Sequence, residues 1–208
     1  MVLGLSRPRS GYAIVSEKGI DYPELEKPQP VTTGNGGGDV PVVLGHSNGS
    51  VSEIVDHVVK TVSQVGSSVR AIDYFGGWVA GMDSGGVSSS EDFGSWSINL
   101  GGIIDVLSFG PSLVAERGIW VPSWRDGKSV IFLINPKGGS VDLEISHHSR
   151  IVSVFGGEEV ICFGDDAGCV FVLEGDVLRR RFSMPLEEME EGNRSSEMRR
   201  KIRGLRGG

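Results

Sequence analysis

Apolar positions recur at three- and four-residue spacing most clearly in one place. Val51, Ile54, Val55, Val58, Val59, Val62 and Val65 make a single stripe, the pattern of an amphipathic helix. Ser50 stands before it, Glu53 follows three residues later, and Gly66 closes it; this is a capping box with a glycine stop. The spacing predicts a helix over 51–65. Valine is a poor helix former, so this helix needs tertiary packing. The rest of the pattern is short apolar runs, read as strands: 41–44, 78–82, 95–109, 119–121, 130–134, 141–145, 151–155, 160–163 and 170–173. Gly101 and Gly102 would mark a bulge inside the long run 95–109. Residues 185–203 read as a charged helix.

The prolines and glycines of residues 1–39 favour loops over helix or ladder, with a short hairpin around 11–20. The chain therefore divides into a loop-rich arm (1–40), a single α/β domain (41–185) and a charged C-terminal helix and tail (186–208). No self-similarity at 20–50 residues marks a propeller. The order of loop, helix, many strands and helix predicts an α/β fold on a mixed sheet with flanking helices. A β-rich barrel or sandwich with peripheral helices is the alternative.

Composition narrows this picture. Glycine fills 32 of 208 positions, about twice the usual share of roughly 7%, but without the three-residue period of collagen. No stretch of about 20 apolar residues exists, which excludes a spanning helix. The first twenty residues lack the basic-then-apolar order of a secretory signal, so a cytoplasmic location is expected. Cys162 and Cys169 read as reduced thiols, and no Cys-x-x-Cys pair points to zinc. The net charge of −7 hides a basic end over 179–208 on an acidic body. That body repels nucleic acid over most of its face, leaving the tail or a divalent metal to meet phosphate.

Several motifs carry candidate chemistry. Gly45-His46-Ser47-Asn48-Gly49 matches the nucleophile elbow of a serine hydrolase, with Ser47 as nucleophile between a strand and a predicted helix. Asp105 or Asp142, then His147 or His148, would complete a triad by chain order. The glycines of 34–49 lack the lysine of a phosphate loop. His147 and His148 are neighbours on a strand and point to opposite faces. The ending Leu205-Arg206-Gly207-Gly208 is like a modifier's tail, but a charged run precedes it.

The acidic constellation goes furthest. Asp83 ends the apolar run 78–82 and leads into Ser84-Gly85-Gly86; Val170–Leu173 leads into Glu174-Gly175-Asp176. Carboxylates at the ends of adjacent buried strands can hold Mg²⁺ or Mn²⁺, which favour oxygen ligands and activate water for phosphodiester cleavage. At these residues, over roughly 50–180, the chain resembles the archaeal NurA nucleases. The matching features are the helix at 51–65, Asp83-Ser84-Gly85-Gly86, the long strand at 95–107 and Glu174-Gly175-Asp176-Val177-Leu178. Serine stands where the family's first glycine is usual, and glutamate replaces the second aspartate. The resemblance implies a ribonuclease H-like fold, Mn²⁺-dependent DNA-end processing and partnership with a HerA-type hexameric helicase, in an active or degenerate member.

The leading expectation is thus a metal-dependent DNA nuclease. Asp83 and Glu174 would be catalytic, and Asp83, Glu174 and Asp176 would bind Mn²⁺ or Mg²⁺. DNA would be the partner, two copies could pair as a homodimer, and no membrane is involved. The alternatives are a non-enzymatic β-rich binding or assembly module and a serine hydrolase using Ser47.

Overall fold

The computed structural model describes residues 2–6, 13–16, 19–21, 31–37, 40–55, 58–113 and 115–182. These residues form five successive antiparallel sheets. The first holds β1 (Val2–Ser6), β2 (Ala13–Ser16) and β3 (Gly19–Asp21). The second holds β4 (Thr33–Gly37), β5 (Val40–Gly45), β6 (Ser50–Val55) and β7 (Val58–Gln64). The third holds β8 (Val69–Tyr74), β9 (Trp78–Met82), β10 (Gly86–Ser89) and β11 (Ser97–Asn99). The fourth holds β12 (Ser108–Gly110), β13 (Gly118–Arg125), β14 (Lys128–Ile134) and β15 (Val141–His147). The fifth holds β16 (Ile151–Gly156), β17 (Val160–Asp165) and β18 (Val170–Glu174), and α1 (Gly175–Phe182) follows it.

Strands pair in chain order within every sheet, and each pairing is antiparallel. The first strands of neighbouring sheets pack together: β1 on β4, β4 on β8, β8 on β12 and β12 on β16. Side-chain alternation then loads both faces of the second, third and fourth sheets. On β14, Val130, Phe132 and Ile134 join the core toward the third sheet, with Val79, Val87 and Ile104. Ile131 and Leu133, between them, join Ile161 and Phe163 of the fifth sheet. Likewise Val43 and Val51 meet Ile72, Trp78 and Ala80, while Val42, Leu44 and Ile54 pack on the opposite face of the second sheet. Sheets buried on both faces need strands that are apolar at consecutive positions, as β9 and β14 are.

This architecture corrects the α/β expectation. A ribonuclease H-like mixed sheet requires parallel strands and covering helices, and the described residues supply no parallel pair and a single eight-residue helix. The predicted helix at 51–65 is the β6–β7 hairpin. Its β-branched valines fit a pleated surface better than a helix. Ser50 caps no helix: its backbone N–H donates to Asn48 Oδ1 at 3.0 Å in the turn before β6. The run 95–109 is not one strand either. Gly101 and Gly102 take φ of 71° and 73° and turn the chain between sheets. Leu100, Ile104 and Leu107 are apolar because they fill the core there, not because they pair. Residues 183–208, and with them the whole predicted helix over 185–203, lie outside the described residues.

A repeat is present after all. Asn48-Gly49, Asp83-Ser84-Gly85, Asp126-Gly127 and Asp166-Ala167-Gly168 each turn the second strand of a sheet into the third, with the glycines 36, 42 and 41 residues apart. All four glycines take positive φ, at 82°, 82°, 73° and 83°, the left-handed region open to glycine. Asp126 also has positive φ, at 53°, as a two-residue type I′ hairpin requires. A valine follows each turn at Val51, Val87, Val130 and Val170.

Candidate binding groove

The first strands carry a chain of polar contacts across the stacked sheets. Asp73 on β8 accepts hydrogen bonds from Phe109 N (2.8 Å), Tyr74 N (2.8 Å), Ser108 Oγ (3.1 Å) and Asn35 Nδ2. Ser108 Oγ in turn accepts from Gly156 N at 3.2 Å. One residue from each of β4, β8, β12 and β16 is thereby linked. Burial raises the Asp73 carboxyl above 3.8, and these bonds pull it back only in part. A second link ties Asp105, before β12, to Arg70 of β8 at 3.1 Å and to Arg150, before β16. Burial pushes this carboxyl up, but the two arginines outweigh it and hold it below 3.8. Both groups are committed to joining sheets.

The open feature is a groove of about 550 Å³ between the second and third sheets. One wall is β7, from Lys60 to Gln64, with Glu53 of β6 beside it; the other is Ser88–Asp92 with Ser95–Ser97, and Trp78 lies at the base. β7 is the edge of its sheet and lines the groove, so its outward backbone N–H and C=O groups pair with no further strand of that sheet. The opposite wall is fixed from within. Ser88 Oγ donates to Ser97 Oγ (3.0 Å), Trp96 N donates to Ser89 Oγ (3.2 Å), and the Trp96 indole N–H donates to Pro136 O (2.6 Å).

Glu53, Glu91 and Asp92 set three carboxylates against one cation, Lys60. Burial raises the Glu53 carboxyl above 4.5, Asp92 adds to it, and Lys60 offsets part. Tyr74 is raised by burial and then by Glu53 and Asp92. The fields of these carboxylates therefore overlap across the groove.

The sequence-predicted site residues lie elsewhere. Asp83 is exposed in the β9–β10 turn of the third sheet; Glu174 and Asp176 are exposed at the end of β18 and the start of α1. The fourth sheet intervenes in the chain of packing between them. Among the described residues no group of three or more His, Cys, Asp and Glu side chains could hold a metal ion. The donor set does not fit Mn²⁺ or Mg²⁺ shared by Asp83, Glu174 and Asp176.

Ser47 is exposed in the β5–β6 hairpin, between two strands rather than before a helix. Of its suggested partners, Asp105 is held by the arginines, and His147 Nε2 lies 2.9 Å from Asp165 Oδ2 in the fifth sheet. That hydrogen bond, with N–H donors from Cys169 and Ala167, keeps the Asp165 carboxyl below 3.8. Sequence reasoning passed over the groove. Its signal is Ser88-Ser89-Ser90-Glu91-Asp92 followed by Ser95-Trp96-Ser97, an acidic, serine-rich segment between apolar strands.

No family model matches the chain, and no curated protein matches it. Solved structures do. One is BBS1N in complex with ARL6DN, at 12% identity and TM-score 0.56, covering 81% of this chain and 62% of that one. A chain of the Mitotic Checkpoint Complex aligns at 13% identity and TM-score 0.62, covering 83% and 63%. The Pan2 WD40 domain of Neurospora crassa aligns at 18% identity and TM-score 0.54, covering 70% and 47%. The fold is a WD40-like β-propeller arrangement. Its antiparallel meanders are blades, and β4, β8 and β12 of the four-stranded ones and β16 of the three-stranded fifth are their innermost strands. The chain spans less than two thirds of each of these three chains. This overturns the NurA resemblance, and with it the nuclease, DNA-repair and manganese readings. No helix of the described residues is long and apolar enough to cross a membrane.

Proposed function

We propose that this chain is a binding and assembly module that takes an extended, basic segment of a partner protein in the groove between β7 and the Ser88–Ser97 wall. The observation that carries this reading is the pairing of an open strand edge with an excess of carboxylates. An extended peptide adds to a sheet edge through main-chain hydrogen bonds, and its alternate side chains read the walls. Arginine or lysine at those positions would meet Glu53, Glu91 and Asp92, while the serine hydroxyls accept or donate as required. A phosphate backbone would be repelled by the same groups, which is why a protein segment is preferred to DNA.

The test is fluorescence anisotropy with a labelled peptide of alternating arginine and valine, against an alternating glutamate and valine control. The arginine peptide should bind, and Glu53→Gln with Asp92→Asn should weaken it about tenfold or more, on the order of 1.4 kcal/mol. Equal binding of both peptides, or indifference to the double variant, would reject the groove as the site.

A further inference from the structure

Glu53 stands in the groove without the donors that a half-buried carboxylate needs. On the second sheet it is the middle of a row, since Val43 pairs with Glu53 and Glu53 with Lys60. Val43 packs with Trp78 and Ala80 of the third sheet, so the row faces that sheet and runs outward along the groove wall. Asp92, on the opposite wall, comes close enough to raise the Glu53 carboxyl beyond what burial does. Elsewhere in the chain a carboxylate in this position is satisfied internally. Asp73 is relieved by hydrogen bonds from Phe109, Tyr74, Ser108 and Asn35, whereas Glu53 is relieved by the charge of Lys60 and by no hydrogen bond. Partly desolvated carboxylates on facing walls are costly until a group with several N–H donors enters between them. Aromatic surface lies alongside: Trp78 at the base of the groove, and half-buried Trp96 in the wall that carries Asp92.

We infer that the partner segment carries arginine, not lysine, at the position that enters between Glu53 and Asp92, and that Glu53 is the residue that makes this choice. The inference rests on the groove reading above and names the chemistry of its ligand. A guanidinium holds five donors in a planar fork, so it can engage carboxylates on both walls at once and lie against an indole face. It is also more weakly hydrated than an ammonium, which lowers the cost of entering a half-buried site. A lysine would bring a compact, strongly hydrated charge of the kind that Lys60 already places in this row. Both side chains carry one positive charge, so the selection comes from donors and desolvation rather than from net charge.

The experiment is fluorescence anisotropy on the full chain with labelled peptides of equal length and charge, alternating arginine–valine and lysine–valine. The arginine peptide should bind about tenfold tighter or more. A third peptide with ω-dimethylated arginines keeps the charge but loses donors of the fork, and should bind no better than the lysine peptide. Glu53→Gln should cost the arginine peptide more than the lysine peptide and bring the two within about threefold of each other. Glu53 makes no hydrogen bond that the fold depends on, so this variant should stay folded, which circular dichroism checks.

Equal binding of the arginine and lysine peptides, both weakened by Glu53→Gln with Asp92→Asn, would overturn the inference and leave the groove reading standing. An arginine preference unchanged in Glu53→Gln would place the choice on another residue and overturn it as well. Binding of none of the peptides would reject the groove reading, and this inference with it.

Discussion

Asp73 is the residue on which most of the inter-sheet polar contact converges. Replacing it by alanine strands the Phe109 N–H and two side-chain donors, and should cost about 2–3 kcal/mol in urea unfolding. Its pH behaviour has a definite sign. A carboxyl raised in the folded state binds protons there before the unfolded chain does, so stability falls as pH climbs from 3.8 through the raised folded value. Asp73→Asn should remove that fall, and unfolding curves across the window would show it. Asp105 works in the opposite sense. Its folded value is depressed, so its contribution is present above 3.8 and is lost as pH falls through the lower folded value. Because the flanking arginines are substantially solvent-exposed, Asp105→Asn should cost only about 1 kcal/mol or less. At this scale the sequence was legible only in part. Asp83, Glu174 and Asp176 could be identified as rim carboxylates, but nothing in a linear pattern distinguishes a turn aspartate from a metal ligand. Asp73 sits inside an ordinary strand pattern, and its four donors come from β4, β8 and β12.

At the scale of elements, the hairpins set the geometry. Gly85 has φ of +82°, and a Cβ there would lie 2.6 Å from the backbone of Gly101; Gly168 has φ of +83° but open space around it. Gly168→Ala should therefore cost only the left-handed backbone penalty, about 1–2 kcal/mol. Gly85→Ala should cost clearly more, and thermal unfolding of the two variants side by side would rank them. Gly156→Ala should be the most severe, because its Cβ would fall 1.6 Å from the Phe109 carbonyl oxygen where β16 meets β12. Most strands from 78 onward were legible, since β9, β14, β16, β17 and β18 are contiguous apolar runs bounded by turn residues. The β6–β7 hairpin was not. Val51, Val55, Val58 and Val62 satisfy both a helical stripe and a strand alternation broken by a bulge, and the bulge between Val51 and Ser52 is invisible in sequence. The repeat escaped because few identities accompany its turn residues and the valine after them, chiefly Gly45, Gly81 and Gly164 four residues before the turn glycine and Val43, Val79 and Val121 six before it.

At the scale of the whole molecule, stacked sheets with linked first strands leave a groove beside β7 that internal packing does not use. The groove is acidic, so binding of a basic peptide should weaken with added salt, since its charges are solvent-exposed. It should also weaken on acidification. Glu53 is raised above 4.5 and so loses its charge at a higher pH than an ordinary glutamate. Anisotropy titrations between pH 7 and 4 should show affinity falling earlier for the native chain than for Glu53→Gln, which lacks the raised carboxyl.

The most direct test of the groove reading is hydrogen exchange on the full chain with and without the arginine–valine peptide. Amides of Lys60–Gln64 on the β7 edge should gain protection, together with Ser88–Ser97 opposite, while those of the β17–β18 hairpin stay unchanged. Protection absent from β7, with the peptide demonstrably bound, would contradict strand addition and the account of function built on it.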